Sequence, residues 1–274
     1  MKATQSTIND FFALTGTIFS IPVYQRNYTW EEEDCKKLLQ DIVSISKNKK
    51  THFMGSITYI LHLIDDEKSL RQLQEFVIID GQQRITTTML LLKAIETKIQ
   101  NEGIKKEIDG LLNLSGQKLR LKPIKSDKEA FDLVMQNRSH EIQGVSHIGN
   151  NYKFFTKKLD NYISKGYRIE EIYGAFLRLK IVAIGLELGE DDPQVVFESI
   201  NATGVQLKGL DLIRNYLMLM MGENSDNQNR LYNTYWVPLE NWLGERDLND
   251  FIKTYLRIYF EDKLKKKSVK CIAC

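Results

Sequence analysis

The sequence predicts an α+β fold: a small mixed sheet with helices, followed by a mainly helical region. Three observations predict it. Within His52–Leu63, residues Ile57, Tyr59, Leu61 and Leu63 fall on alternate positions in a run rich in β-branched and aromatic side chains, the pattern of a half-buried strand. Phe76–Ile79 is a short continuous apolar run, as a strand covered on both faces shows. In the second half of the chain apolar residues recur mostly at helical spacing.

Taken in order, Ile18–Val23 reads as a short extended segment, with Pro22 favouring a sheet edge or a loop. Thr29 and Glu32 have the spacing of a capping box. Behind them Leu38, Leu39, Ile42, Val43 and Ile45 predict a helix over Trp30–Lys47. The strand His52–Leu63 ends at the polar turn Asp65–Lys68, and Phe76–Ile79 follows as the next strand. A helix over Ile85–Gln100 would carry Met89, Leu92, Ile95 and Ile99 on one face. Further helices are predicted at Asp127–Gln136, His147–Ile163, Glu170–Leu177, Gln194–Asn201, Leu210–Met221, Asn227–Leu243 and Asp247–Phe260, interrupted by a strand at Lys180–Leu188. Residues 101–120 are glycine-bearing and polar, and divide a mixed region, 1–105, from a mainly helical one, 106–274.

Composition narrows the class. With 42% hydrophobic and 27% charged residues, the chain is an ordinary globular protein. Its cysteines are Cys35, Cys271 and Cys274, and it shows neither a signal peptide nor an apolar run long enough to span a membrane. The expectation is a reduced, cytoplasmic protein without membrane contact. A net charge of +2 neither demands nor excludes nucleic acid. The one dense basic run, Lys263–Lys270, reads first as a solvated tail. Cys271 and Cys274 have metal or redox spacing but lack a second pair. His52, His62, His140 and His147 make no defensible metal or Ser-His-Asp set.

The stretch that carries chemistry is Asp80-Gly81-Gln82-Gln83-Arg84, between the strand Phe76–Ile79 and the helix beyond it. A helix start offers unpaired backbone N–H groups and partial positive charge, which together accept a phosphate. Gly81 allows close approach of backbone to ligand. Arg84 supplies a planar, permanently charged fork for phosphate oxygens. Gln82 or Gln83 could orient an attacking water. Asp80 could hold a divalent cation or act as a base, and Thr86, Thr87 and Thr88 add hydroxyls. As bare composition the stretch is better read as a turn ahead of a solvated helix start, and it is not a Walker A loop, because Gly-x-x-x-x-Gly-Lys is missing.

Four segments together reverse that reading. Asp80–Arg84 in its strand–turn–helix setting resembles the signature of the GmrSD-type restriction endonuclease N-terminal domain family, whose fold is similar to ParB and sulfiredoxin. Ile21-Pro22-Val23-Tyr24-Gln25-Arg26-Asn27-Tyr28-Thr29-Trp30 resembles the family's opening Pro-x-Tyr-Gln-Arg-x-Tyr-x-Trp. His52-Phe53-Met54-Gly55-Ser56-Ile57 resembles its Gly-Ser strand, and Phe197–Leu207 its Phe-x-x-x-Asn-x-x-Gly-x-x-Leu. The matches come in family order and span residues 18 to about 217.

The resemblance implies a ParB-like region, 1–105, that binds and hydrolyses a nucleoside triphosphate, with 106–274 completing the same domain. It implies Asp80, Gln82, Gln83 and Arg84 as catalytic candidates. Gln25, Arg26, Gly55, Gly81, Thr86, Thr87 and Asn201 are the nucleotide-binding candidates, and Asp80 is the candidate ligand for Mg2+. The implied partners are DNA, typically modified phage DNA, and an HNH-type nuclease. Nothing after about residue 220 resembles an HNH motif, so cleavage is expected from another domain or subunit.

Other readings stay open beside these. Tyr24–Arg26 also reads as a surface turn, with Tyr28 and Trp30 as packing anchors. Asn201 and Gly204 also read as a helix end, and Asp211 with Arg214 as a surface pair. For the whole chain, a sensor that grips a nucleotide or a DNA phosphate without turnover, and a ParB-like DNA-binding regulatory module, are the alternatives.

Overall fold

The computed structural model describes all residues except 49, 65–71, 115–117, 188–189, 192–194, 197–208, 221–224 and 260–274. The chain forms two compact units, one of Met1–Pro22 with Asn27–Asp191 and one of Val23–Arg26 with Asp192–Cys274.

The first unit is built on a mixed sheet. In chain order its elements are β1 (Lys2–Thr7), α1 (Ile8–Phe12), β2 (Thr17–Ser20), α2 (Glu32–Asn48), β3 (His52–Ile64), β4 (Leu73–Asp80), α3 (Gln82–Glu96) and α4 (Glu102–Leu112). These are followed by β5 (Asn113–Leu114), β6 (Lys118–Leu119), β7 (Leu121–Lys122), α5 (Lys125–Met135), α6 (His147–Ser164), α7 (Ile169–Leu177) and β8 (Leu179–Leu186). Among the described residues the main sheet runs β1-β8-β3-β4-β2-β7, while β5 and β6 pair separately. The β1/β8 and β3/β4 pairs are antiparallel, whereas β8/β3, β4/β2 and β2/β7 are parallel. The α+β class and its mixed sheet are as the sequence predicts.

Aromatic packing closes the sheet against α1. Phe11 stacks on Phe19 at 5.0 Å between ring centroids, and Tyr59 stacks on Phe76 at 4.0 Å. Such pairs add to area burial through their ring quadrupoles. On the helical side α3 occupies the centre, against α4, α5, α6 and α7. Leu90 and Leu91 are as fully buried as Met89, Leu92 and Ile95, so α3 has no solvent face where the sequence suggests a one-sided helix. A helix buried all round belongs inside a core, and here the polar Thr86, Thr87, Thr88 and Lys93 are buried with the apolar residues. The helix also starts at Gln82 rather than Ile85, because Gln82–Arg84 form its first turn.

Elements not expected from the sequence include α1, β1, α4 and the short strands β5, β6 and β7. β1, all polar but for Ala3, pairs with β8 at the sheet edge. α4 fills the stretch taken for a boundary; Asn101 caps it by accepting from Gly103 and Ile104 N–H, and it buries Ile108, Leu111 and Leu112. The Thr29/Glu32 capping box does not stand at the start of α2. There the Glu31 N–H donates to the Asp34 carboxylate at 3.0 Å instead.

The second unit contains α8 (Gly209–Met220), α9 (Ser225–Leu231), a π-helical turn over Tyr232–Trp236, and α10 (Val237–Tyr259) with a break at Gly244. Tyr24, Leu210, Met218, Trp236 and Leu248 form its buried cluster. Among the described residues no helix is long and apolar enough to cross a membrane.

Candidate functional site

Strand β4 ends at Asp80 and α3 begins two residues later, so Gly81 alone makes the turn. It does so at φ +98°, a left-handed conformation that costs glycine nothing and other residues more. A Cβ there would press on Ile57 Cγ1 at 3.1 Å and on the Ser56 carbonyl at 3.2 Å. Gly81 thus allows close approach to β3, a reason not foreseen from sequence. The Ile85 N–H reaches the Gly81 carbonyl at 3.0 Å, closing the first turn. The backbone N–H groups of Gln82, Gln83 and Arg84 precede the first intrahelical partner, as at any helix start.

Arg84 folds back on the strand it follows. Its Nη2 donates to Asp80 Oδ2 at 2.5 Å, with both side chains about a fifth exposed (23% and 22%). Gly55 makes room for it. That residue sits at φ +121° beside a register shift in the β3/β8 pairing, and a Cβ on it would collide with Arg84 Nη1. Asp80, Gly81, Arg84 and Gly55, predicted from separate segments, come together at the start of α3.

Gln82 and Gln83 are both buried, and the Gln83 carboxamide is engaged at both ends. Its Oε1 accepts from Thr29 N–H at 2.9 Å and Trp30 N–H at 3.3 Å, and its Nε2 donates to the Asn27 carbonyl at 3.0 Å. Two more backbone groups of this Asn27–Trp30 strap are held. Tyr28 N–H donates to Asp127 Oδ2 at 2.8 Å, and the Trp30 carbonyl accepts from Asn151 Nδ2 at 2.7 Å. The Tyr28 hydroxyl lies 2.6 Å from the Thr87 hydroxyl and accepts from Asn151 at 3.0 Å.

The threonines are drawn into this framework. Thr86, Thr87 and Thr88 are buried in the second turn of α3. Thr87 bonds Tyr28, and Thr88 donates to the Arg84 carbonyl at 2.5 Å. Burial pushes the Tyr28 phenol well above its ordinary pKa and the Cys35 thiol up to about 12, so both are neutral at pH 7. Burial also raises the Asp127 carboxyl, against the stabilising Tyr28 N–H.

Gln25 and Arg26 belong to the second unit. There the buried Arg214 donates to the Tyr24 carbonyl at 2.8 Å and to Asp211 at 2.6 Å. This corrects the expectation of a surface pair at Asp211 and Arg214, since Arg214 is only 6% exposed. Asn201, Gly204, the basic run and Cys271 with Cys274 lie outside the described residues. Among the described residues no group of three or more His, Cys, Asp or Glu is arranged to hold a metal.

No curated protein matches the chain. The model of the GmrSD restriction endonuclease N-terminal domain matches residues 8–218. That span holds the β4–Gly81–α3 turn, the Gly55 bulge and the strap. The chain therefore belongs to the GmrSD restriction endonuclease N-terminal domain family, and so to the components of a restriction system.

Proposed function

We propose that the start of α3 binds the phosphates of a nucleoside triphosphate and supports their hydrolysis, in a restriction system whose DNA cleavage is carried by a nuclease partner. The observation that carries this is the seating of the Arg84 guanidinium beside a helix start, held by Asp80 at 2.5 Å and fitted over the bare backbone of Gly55. A helix N-terminus with an adjoining planar cation is suited to anionic oxygens. Triphosphate oxygens would take over the Arg84 donors now given to Asp80.

The same exchange would leave the Asp80 carboxylate for Mg2+. Magnesium is commonly bound by one or two carboxylates together with substrate phosphates, so one carboxylate fits that role. When bound, the ion would offset phosphate charge. Gln82 or Gln83 would orient the attacking water, and for Gln83 this requires its amide to leave the strap.

Phosphate release from ATP, GTP, CTP and UTP tests the reading, alongside nucleotide-dependent thermal shift. Wild-type protein should release phosphate, and Arg84→Ala should lose most of that activity. Equal release by the two would remove Arg84 from the site. A second reading, a sensor without turnover, is favoured by the engagement of Gln83, whose amide is held by the strap at both ends. Thermal stabilisation by nucleotide with no phosphate release at saturating Mg2+ would select it.

A further inference from the structure

Gln83 stands between two candidate site residues, Gln82 and Arg84, yet its side chain serves the strap. Along α3, residues 83 and 87 lie on one stripe and residues 84 and 88 on the next, since positions four apart share a helix face. The first stripe holds the strap, through the Gln83 carboxamide and the Thr87 hydroxyl. The second faces β3, with Arg84 over Gly55 and the Thr88 hydroxyl 3.6 Å from Met54 Sδ. A turn of α3 about its axis that freed the strap would also swing Arg84 off its seat.

We propose that Gln83 is a positioning residue: it latches the Asn27–Trp30 strap to the first turn of α3, so that the strap and the Arg84 seat move as one. This rests on the nucleotide reading for its consequence, though not for the latch itself. The bonding pattern demands an amide, because two N–H groups need an acceptor and one carbonyl needs a donor. Glutamate keeps the acceptor and loses the donor, and methionine lacks both. Asn27 follows directly on Val23–Arg26, which belong to the second unit. The latch therefore grips the chain at the residue where it re-enters the first unit.

The test combines hydrogen exchange with kinetics on the full chain. In Gln83→Met, the Thr29 and Trp30 amides should exchange about fivefold faster or more without ligand, the loss of roughly one hydrogen bond. Phosphate release should fall about tenfold or more in kcat with KM within about threefold, because Arg84 and the helix start remain. Gln83→Glu keeps the acceptor for Thr29 and Trp30 and should recover part of both, while Gln83→Asn, one methylene short of the strap, carries the test if Gln83→Met does not fold. Tyr28→Phe loosens the strap from another of its anchors, so it should lower kcat as well, and the double variant should be little worse than the worse single one. Unchanged exchange at Thr29 and Trp30 would overturn the latch. Fully additive kinetic losses would assign Gln83 a direct role instead. If wild-type protein neither binds nor hydrolyses a triphosphate, the nucleotide reading fails, while the exchange data still decide the latch.

Discussion

Arg84 is held by two unlike devices, an ion pair with Asp80 and the missing side chain of Gly55. Each can be removed separately. Gly55→Ala places a methyl where the guanidinium lies and forces an L-residue to φ +121°. Such strain costs about 1–3 kcal/mol, so urea unfolding should show that loss and phosphate release should fall toward the Arg84→Ala level. Arg84→Lys keeps the charge but not the fork. It should retain nucleotide-induced thermal stabilisation only in part, and full stabilisation would show that the fork is not used. Asp127 makes a pH prediction. Burial raises its folded pKa above the unfolded value, so its favourable contribution is fully present below the ordinary carboxylate range and is lost as pH rises through the raised value. Asp127→Asn keeps an acceptor for Tyr28 N–H without the charge. Its stability relative to wild type should therefore improve as pH is raised from about 3 to 7, as read from urea melts across that range. A pH-independent difference would show that Asp127 is not penalised when ionised.

At the scale of elements, the Asp80–Arg84 turn and the strands around it were legible because strand-to-helix transitions leave local marks: an apolar run, a glycine and a change of period. What the strap does was not legible. Gln83 and Thr29 are 54 residues apart, and a glutamine at a helix start reads equally as solvated, catalytic or structural. The burial of Leu90 and Leu91 was hidden for a similar reason, since one helix does not record how many neighbours surround it. β1 carries no apolar alternation because it lies at an edge and is mostly exposed. α4 was hidden by Gly103 and Gly110, though Asn101 followed by Ile104, Ile108 and Leu111 was a usable cap-and-stripe signal. The strap gives this scale its prediction. Thr87→Val is close to isosteric and removes the hydroxyl that meets Tyr28 in a fully buried position. The Tyr28 hydroxyl keeps Asn151, so the cost should be about 1 kcal/mol in chemical denaturation. A neutral result would mean that Asn151 and Gln83 suffice to hold the strap.

At the scale of the whole molecule, the division into two units turns on a short piece of sequence. Val23–Arg26 leave the first unit's chain path and join residues from 192 onward, and Tyr24 lies in that second core. Beside the apolar packing of Tyr24, Arg214 holds them there, giving Nε to the Tyr24 carbonyl and Nη2 to Asp211, with Glu240 at 3.5 Å from Nη1. Removing the buried guanidinium leaves the partly exposed Asp211 carboxylate uncompensated and the Tyr24 carbonyl without its donor, at a cost of about 1–3 kcal/mol. Arg214→Met should therefore destabilise the second unit selectively. The tryptophans allow that to be read unit by unit, because Trp30 lies in the first unit and Trp236 and Trp242 in the second. In a Trp30→Phe background, fluorescence reports the second unit, and its unfolding midpoint should fall in Arg214→Met. In a background with Trp236 and Trp242 both changed to Phe, Trp30 reports the first unit, whose midpoint should move less. Equal shifts in both backgrounds would show that the two units unfold as a single cooperative body, and that a residue outside the Asp80–Arg84 turn can govern the stability of the site it does not touch.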